Sequence, residues 1–149
     1  ERIYSSDETL NLTASEDALS VRKVPTGIAD HDSIVDGGFP EGSLVLLLGD
    51  IGAGMQAYVY TAGSKIAIVH QHPGLRRYFL GQACDDSILP ERICYATFSR
   101  SREAILQELG ASFNGEFYYA FRDLAVFKDF SATYFRNSVV PSALRSWAG

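Results

Sequence analysis

This sequence predicts an α/β fold built on a mainly parallel sheet, and three observations predict it. Residues 43–49 (SLVLLLG) form a continuous apolar run ending in glycine, the pattern of a strand buried on both faces. A glycine-rich loop follows at once, and a helical pattern starts where the loop stops. Further along, the β-rich runs 92–99 (RICYATFS) and 124–131 (LAVFKDFS) flank a clear helical segment. Strands alternating with helices imply parallel strands joined by helical crossovers.

The elements follow in order. Residues 1–22 are rich in Ser, Thr, Asp and Glu and read as a loosely packed arm, and 23–149 read as one domain. A turn at 24–27 leads into a short helix over 29–38 (ADHDSIVDGG), capped by Asp30 and ended by Gly37-Gly38. FPEGS is a second turn, after which the apolar strand and the glycine loop lead to a helix over 55–64. Residues 65–74 (KIAIVHQHPG) read as a strand or a buried helix end, and 75–91 as a short helix mixed with loop. The segment 101–113 (SREAILQELGASF) is a helix capped by Ser99 or Ser101. Its apolar face is Ile105, Leu106 and Leu109, and Gly110 should stop it. The tail 131–149 is left without an assignment, and there is no internal repeat.

Composition narrows the function classes. With 149 residues, 46% of them hydrophobic and 21% charged, the chain suits one domain with a real core. No apolar run approaches the ~20 residues of a membrane helix. ERIYSSDETL lacks the apolar stretch of a signal peptide, so no membrane partner and a cytoplasmic location are expected. The chain opens on Glu1, as a piece of a longer protein would. A net charge of −5 disfavours a general nucleic-acid surface, and only Arg76-Arg77 and Arg100/Arg102 are tight basic pairs. Cys84 and Cys94 lack metal or redox spacing and read as buried free thiols.

The chemistry concentrates in residues 49–56, GDIGAGMQ. A loop that cradles a nucleoside triphosphate reads G-x-x-x-x-G-K-[ST]. Here Gly49, Asp50, Ile51, Gly52, Ala53 and Gly54 keep the glycine frame, but Met55 and Gln56 stand at the lysine and hydroxyl positions. Backbone N–H groups at a helix N-terminus hold anions without side chains, so the eight residues remain the candidate cofactor site. Asp50 sets a negative charge against any phosphate, which favours a purely structural turn.

VPTGIADHDSIVDGGFPEGSLVLLLGDIGAG, residues 24–54, resembles the opening of KaiC-like proteins of the RecA superfamily. In that family a Thr-Gly-Ile helix, a Gly-Gly-x-Pro-x-Gly turn and an apolar strand lead into the phosphate loop. YATFSRSREAILQELG is similar to the segment after the family's next strand, and FKDFSATYFRNSVVP looks like archaeal, especially haloarchaeal, members. The resemblance covers residues 24–64 well and 92–141 loosely. It implies a RecA-like α/β sandwich of the P-loop NTPase type, incomplete at its C-terminal side, that usually forms rings or filaments. The departures fall on the chemistry. Met55 has no donor for the terminal phosphates, and one charged hydrogen bond, about 1.5–3 kcal/mol, is worth about tenfold or more in affinity. Gln56 is longer than the Mg²⁺-ligating hydroxyl and misplaced for it. Ser99 and Arg100 fall where two acidic residues belong, and neither serves as a base towards water. Asp129, ending LAVFKD, resembles the second metal-binding element but comes one strand too early for the family order.

The leading expectation is therefore a catalytically degenerate domain with no catalytic or metal residues, acting through a protein partner or a homo-oligomer. It would bind ATP weakly at most, with Mg²⁺ entering only with the nucleotide. The alternatives are an ATPase that borrows its missing groups from elsewhere and a DNA-binding regulator of the same superfamily. Bland readings cover the remaining features: surface histidines at His70 and His72, a solvated turn at Arg76-Arg77, and packing for the FYYAF cluster. Trp147 is either an interface anchor or a core lid. No G-x-S-x-G elbow is present.

Overall fold

The computed structural model describes residues 21–50 and 52–137, the last three of these by backbone alone. In chain order the elements are β1 (Lys23–Val24), α1 (Ala29–Ile34), β2 (Phe39–Pro40), α2 (Met55–Gln71), α3 (Arg76–Leu80), β3 (Ile93–Thr97), α4 (Arg102–Ser112), α5 (Gly115–Leu124), β4 (Ala125–Asp129) and α6 (Ser131–Asn137). Short 3-10 turns at Pro73–Leu75 and Gln82–Cys84 flank α3. The structure is mixed α/β, and among the described residues its parallel sheet has two strands.

The core forms where α2, α5 and the sheet meet. α2 begins with MQAYVYTAGS and continues through KIAIVHQ, the segment left open between strand and helix. Tyr60, Ile68 and Val69 on α2 pack with Ile105 and Leu109 on α4 and with Phe121 on α5. Gly63 lets the helices approach: a Cβ there would run into the Phe121 ring. β3 and β4 pair in parallel, Ile93 opposite Ala125 through Thr97 opposite Asp129. Tyr95, Phe121 and Phe127 meet edge-on or tilted on the inner face of this sheet. The outer face leaves Cys94, Ala96, Val126 and Lys128 exposed.

Several local expectations hold. α4 starts at Ser101, whose hydroxyl accepts the Ala104 N–H at 3.2 Å, and its apolar face is buried. β3 and β4 lie inside the two β-rich runs. α1 stops before Gly37 and Gly38, both at positive φ.

Other expectations are corrected. Residues 43–49 join no strand among the described residues. Leu44, Leu46 and Leu48 are 99%, 78% and 80% exposed, with Val45 and Leu47 about half exposed. A parallel strand needs neighbours to satisfy its backbone, and β3 and β4 bond to each other while neither takes the run as a third strand. Asp30 does not cap α1; Ile28 stands at the cap. Instead the buried Asp32 carboxylate accepts the Thr26 and Gly27 N–H groups at 2.8 and 3.2 Å, tying the preceding turn to the helix. α4 passes through Gly110 to Ser112, because a single helical glycine costs only about 1 kcal/mol. Residues 115–124 form α5, and Asn114 caps it by accepting the Phe117 N–H. Cys84 is buried, but Cys94 is exposed on the outer sheet face. The arm over 1–20 and the tail beyond 137, Trp147 included, lie outside the described residues.

Candidate functional site

The glycine loop makes a tight connection into α2. Gly52 and Gly54 have φ of 88° and 77°, the left-handed region that residues with a Cβ avoid. Ala53 N–H donates to the Asp50 carbonyl at 3.0 Å, and Tyr58 N–H donates to the Gly54 carbonyl at 2.9 Å. Gly54 is the N-cap and Met55 the first helical residue, so loop and helix follow in the expected order, without the strand expected before them. Ile51 lies outside the described residues.

A cavity of about 670 Å³ opens over this loop. Gly49, Asp50, Gly52, Ala53, Gly54, Met55 and Gln56 line it, with Ala57 and Tyr60 of α2 and Glu108, Ser112 and Phe113 at the end of α4. The two charged side chains on its wall are carboxylates, Asp50 and Glu108; no Lys, Arg or His lines it among the described residues. Met55 folds back over the loop, its Cγ and Sδ only 3.1 Å from where a Cβ on Gly49 would sit. The first helical position thus presents a thioether to the loop, a weak acceptor with no donor.

Behind the wall, Tyr60 donates its hydroxyl to Glu108 Oε2 at 3.0 Å, and Arg100 Nη1 reaches the same oxygen at 2.5 Å. Arg100 holds the Glu108 carboxyl below its ordinary value, with help from Tyr60. Burial, reinforced by Tyr95 and Glu108, pushes the Tyr60 phenol above its ordinary value. The cluster stays as neutral phenol, carboxylate and guanidinium at neutral pH, a charge-balanced brace that ties α2 to Glu108 in the second half of α4 and to Arg100 just before that helix. His31 of α1 adds a second brace, its Nδ1 2.6 Å from the Tyr58 hydroxyl. Neither brace was visible in the sequence: Tyr60 and Glu108 stand 48 residues apart, His31 and Tyr58 27 apart.

The remaining candidates have structural work. Asp129 closes β4, and its carboxylate accepts the Arg102 N–H at 2.8 Å and the Ser131 N–H and hydroxyl at 2.9 and 2.6 Å. Those bonds, Ser131 first, hold its carboxyl below the usual range and tie two helix starts to the sheet. His70 meets the Pro90 carbonyl at 2.6 Å and His72 meets Glu116 at 3.3 Å, on and just after a helix rather than along a strand. No group of three or more His, Cys, Asp or Glu suited to a metal occurs among the described residues. Arg76 donates to the Cys84 and Ser87 carbonyls, and Arg77 pairs with Asp85. In the described residues no helix is long and apolar enough to cross a membrane. Compared with known proteins, the chain matches no family model, no curated protein and no solved structure.

Proposed function

We propose that this chain is a KaiC-like, RecA-type domain whose nucleotide chemistry has been lost and which acts by binding a protein partner. The observation that carries the reading is Met55, folded against Gly49 in a cavity whose charged wall residues are both carboxylates. A triphosphate brings three to four negative charges, and phosphoryl transfer depends on positioning and neutralising them. Asp50 opposes that charge, and the Glu108–Arg100 pair, balanced within itself, leaves no cation free to neutralise it. Asp129 is engaged at two helix starts, which leaves it poorly placed as a metal ligand. ATP turnover by the full chain with Mg²⁺ tests this: phosphate release at the background rate is expected, and protein-dependent turnover abolished by a Gly54→Val change overturns it.

A second reading, residual anion binding, draws on the loop backbone. The left-handed glycines and the free N-terminus of the long α2 are the features that hold phosphate without side chains. Inorganic phosphate protecting the loop amides from exchange would favour it. DNA binding is disfavoured by the net charge of −5 and by the acidic cavity.

A further inference from the structure

We infer that the exposed outer face of the β3–β4 sheet is the docking face for a segment of this same chain, residues 140–147, which lies outside the described residues. A parallel sheet is normally covered on both faces, because helical crossovers lie against it. Here α4 and α5 join β3 to β4, and Phe121 of α5 packs with Tyr95 and Phe127 on the inner face. On the other face Cys94, Ala96 and Val126 are exposed, with Lys128 the charged side chain beside them. Phe98 and Phe130 follow the two strands directly, stack at 5.2 Å and are exposed as well. The patch is apolar along the strands and aromatic at their ends.

Position, pattern and charge favour this occupant. The chain leaves β4 at the edge of the patch: the Phe130 N–H donates to the Thr97 carbonyl at 2.8 Å, and the Asp129 carboxylate accepts the Ser131 N–H that opens α6. The twelve residues after Asn137 can span up to ~40 Å, whereas a five-residue strand measures only ~17 Å. Their sequence sets Val140, Ala143, Leu144 and Trp147 at the i, i+3, i+4, i+7 spacing of one helical face. Pro141 stands where the first turn of such a pattern tolerates it, and Ser142, Arg145 and Ser146 fall off the apolar face. Arg145 is the one charged side chain in 138–149, whereas residues 1–20 carry five carboxylates, which suit an apolar patch poorly. Lys128 can lay its stem along the contact and keep its ammonium in water. A tethered segment also competes at an effective concentration of about millimolar, ahead of a free partner at micromolar level. A partner that uses this face must first displace it.

The inference does not depend on the state of the glycine loop, and the full chain carries its own probes for it. Trp147 is the single tryptophan. Cys94 is the exposed thiol; Cys84 is buried, and that burial pushes its thiol up to about 11. Each side of the contact is altered and the other side read. Leu144→Asp should raise the rate of Cys94 alkylation by iodoacetamide about tenfold or more, as the cover is lost. Val126→Glu should move the Trp147 emission from the blue of a buried indole to the red of a solvated one. Val126 is outside the core, and an unlabelled Cys84 reports that the core is intact in each variant. The natural chain is decisive by itself: a solvated Trp147 emission, or Cys94 alkylated as fast as a free peptide thiol, overturns the contact. A buried Trp147 beside an unprotected Cys94 overturns the face. Protection of Cys94 that grows with protein concentration makes a second copy the occupant, and protection indifferent to Leu144→Asp makes another segment the occupant; both overturn the inference.

Discussion

Two apolar stretches of similar composition meet opposite fates in this chain. Ile66–Val69 in α2 is buried almost completely, while Leu44–Leu48 in the run before the loop stands largely in solvent. The difference is one of partners. A helix satisfies its own backbone and needs only one packed side, which α5 and α3 provide. An extended run needs another strand at its edge and cover on both faces, and β3 and β4 give it neither. The glycine loop inherits this contrast. On one side it is anchored to a rigid helix braced by Tyr60–Glu108 and His31–Tyr58; on the other it hangs from the unpaired run.

The largest expected effect separates the two regions. Phe121→Ala should cost about 3–5 kcal/mol in urea unfolding, because the ring is fully buried over Gly63. Leu46→Ala should stay within about 0.5 kcal/mol. Equal losses for the two would erase the distinction. Next, Gly63→Val forces a side chain into the Phe121 ring and should cost about 1–3 kcal/mol, read by the same unfolding curves. A smaller effect, about 1 kcal/mol, is expected for Ser101→Ala, which removes the cap of α4.

The smallest effect is the pH dependence of the brace. The folded Glu108 carboxyl lies below its ordinary value of 4.5, chiefly through Arg100. Its contribution is therefore complete above that ordinary value and is lost as pH falls through the lowered folded one. Glu108→Gln should flatten this acid limb. The change should lie within the about 0.2–1 kcal/mol of an exposed pair, since both side chains are about one-third exposed and screened by water. The raised Tyr60 phenol gives the opposite limb: stability is complete below its ordinary value of 10.0 and falls above it.

Local signals in the sequence were legible where the physics is local. Ser101 followed by Ile105, Leu106 and Leu109 marks a capped amphipathic helix, and the structure has it. The glycine frame places a loop at the start of α2, with two of its glycines in left-handed geometry. α5 escaped notice because GEFYYAFRDL is dominated by aromatic residues that favour strands by propensity, and only packing against α2 makes them helical. The apolar run failed as a strand for the same reason in reverse: its pattern encodes burial, and burial depends on neighbours supplied from elsewhere. The Tyr60–Glu108–Arg100 wall is a product of tertiary contact, and no spacing rule brings α2 and the second half of α4 together.

The most direct test of the account is calorimetric titration of ATP into the folded chain, with and without Mg²⁺, beside the Met55→Lys/Gln56→Thr variant. The account predicts no saturable heat from the natural chain, and Mg²⁺-dependent binding in the variant if the loop backbone is otherwise intact. Mg²⁺-dependent binding of ATP by the natural chain at micromolar affinity would contradict it, since a thioether and two carboxylates would then be holding a triphosphate.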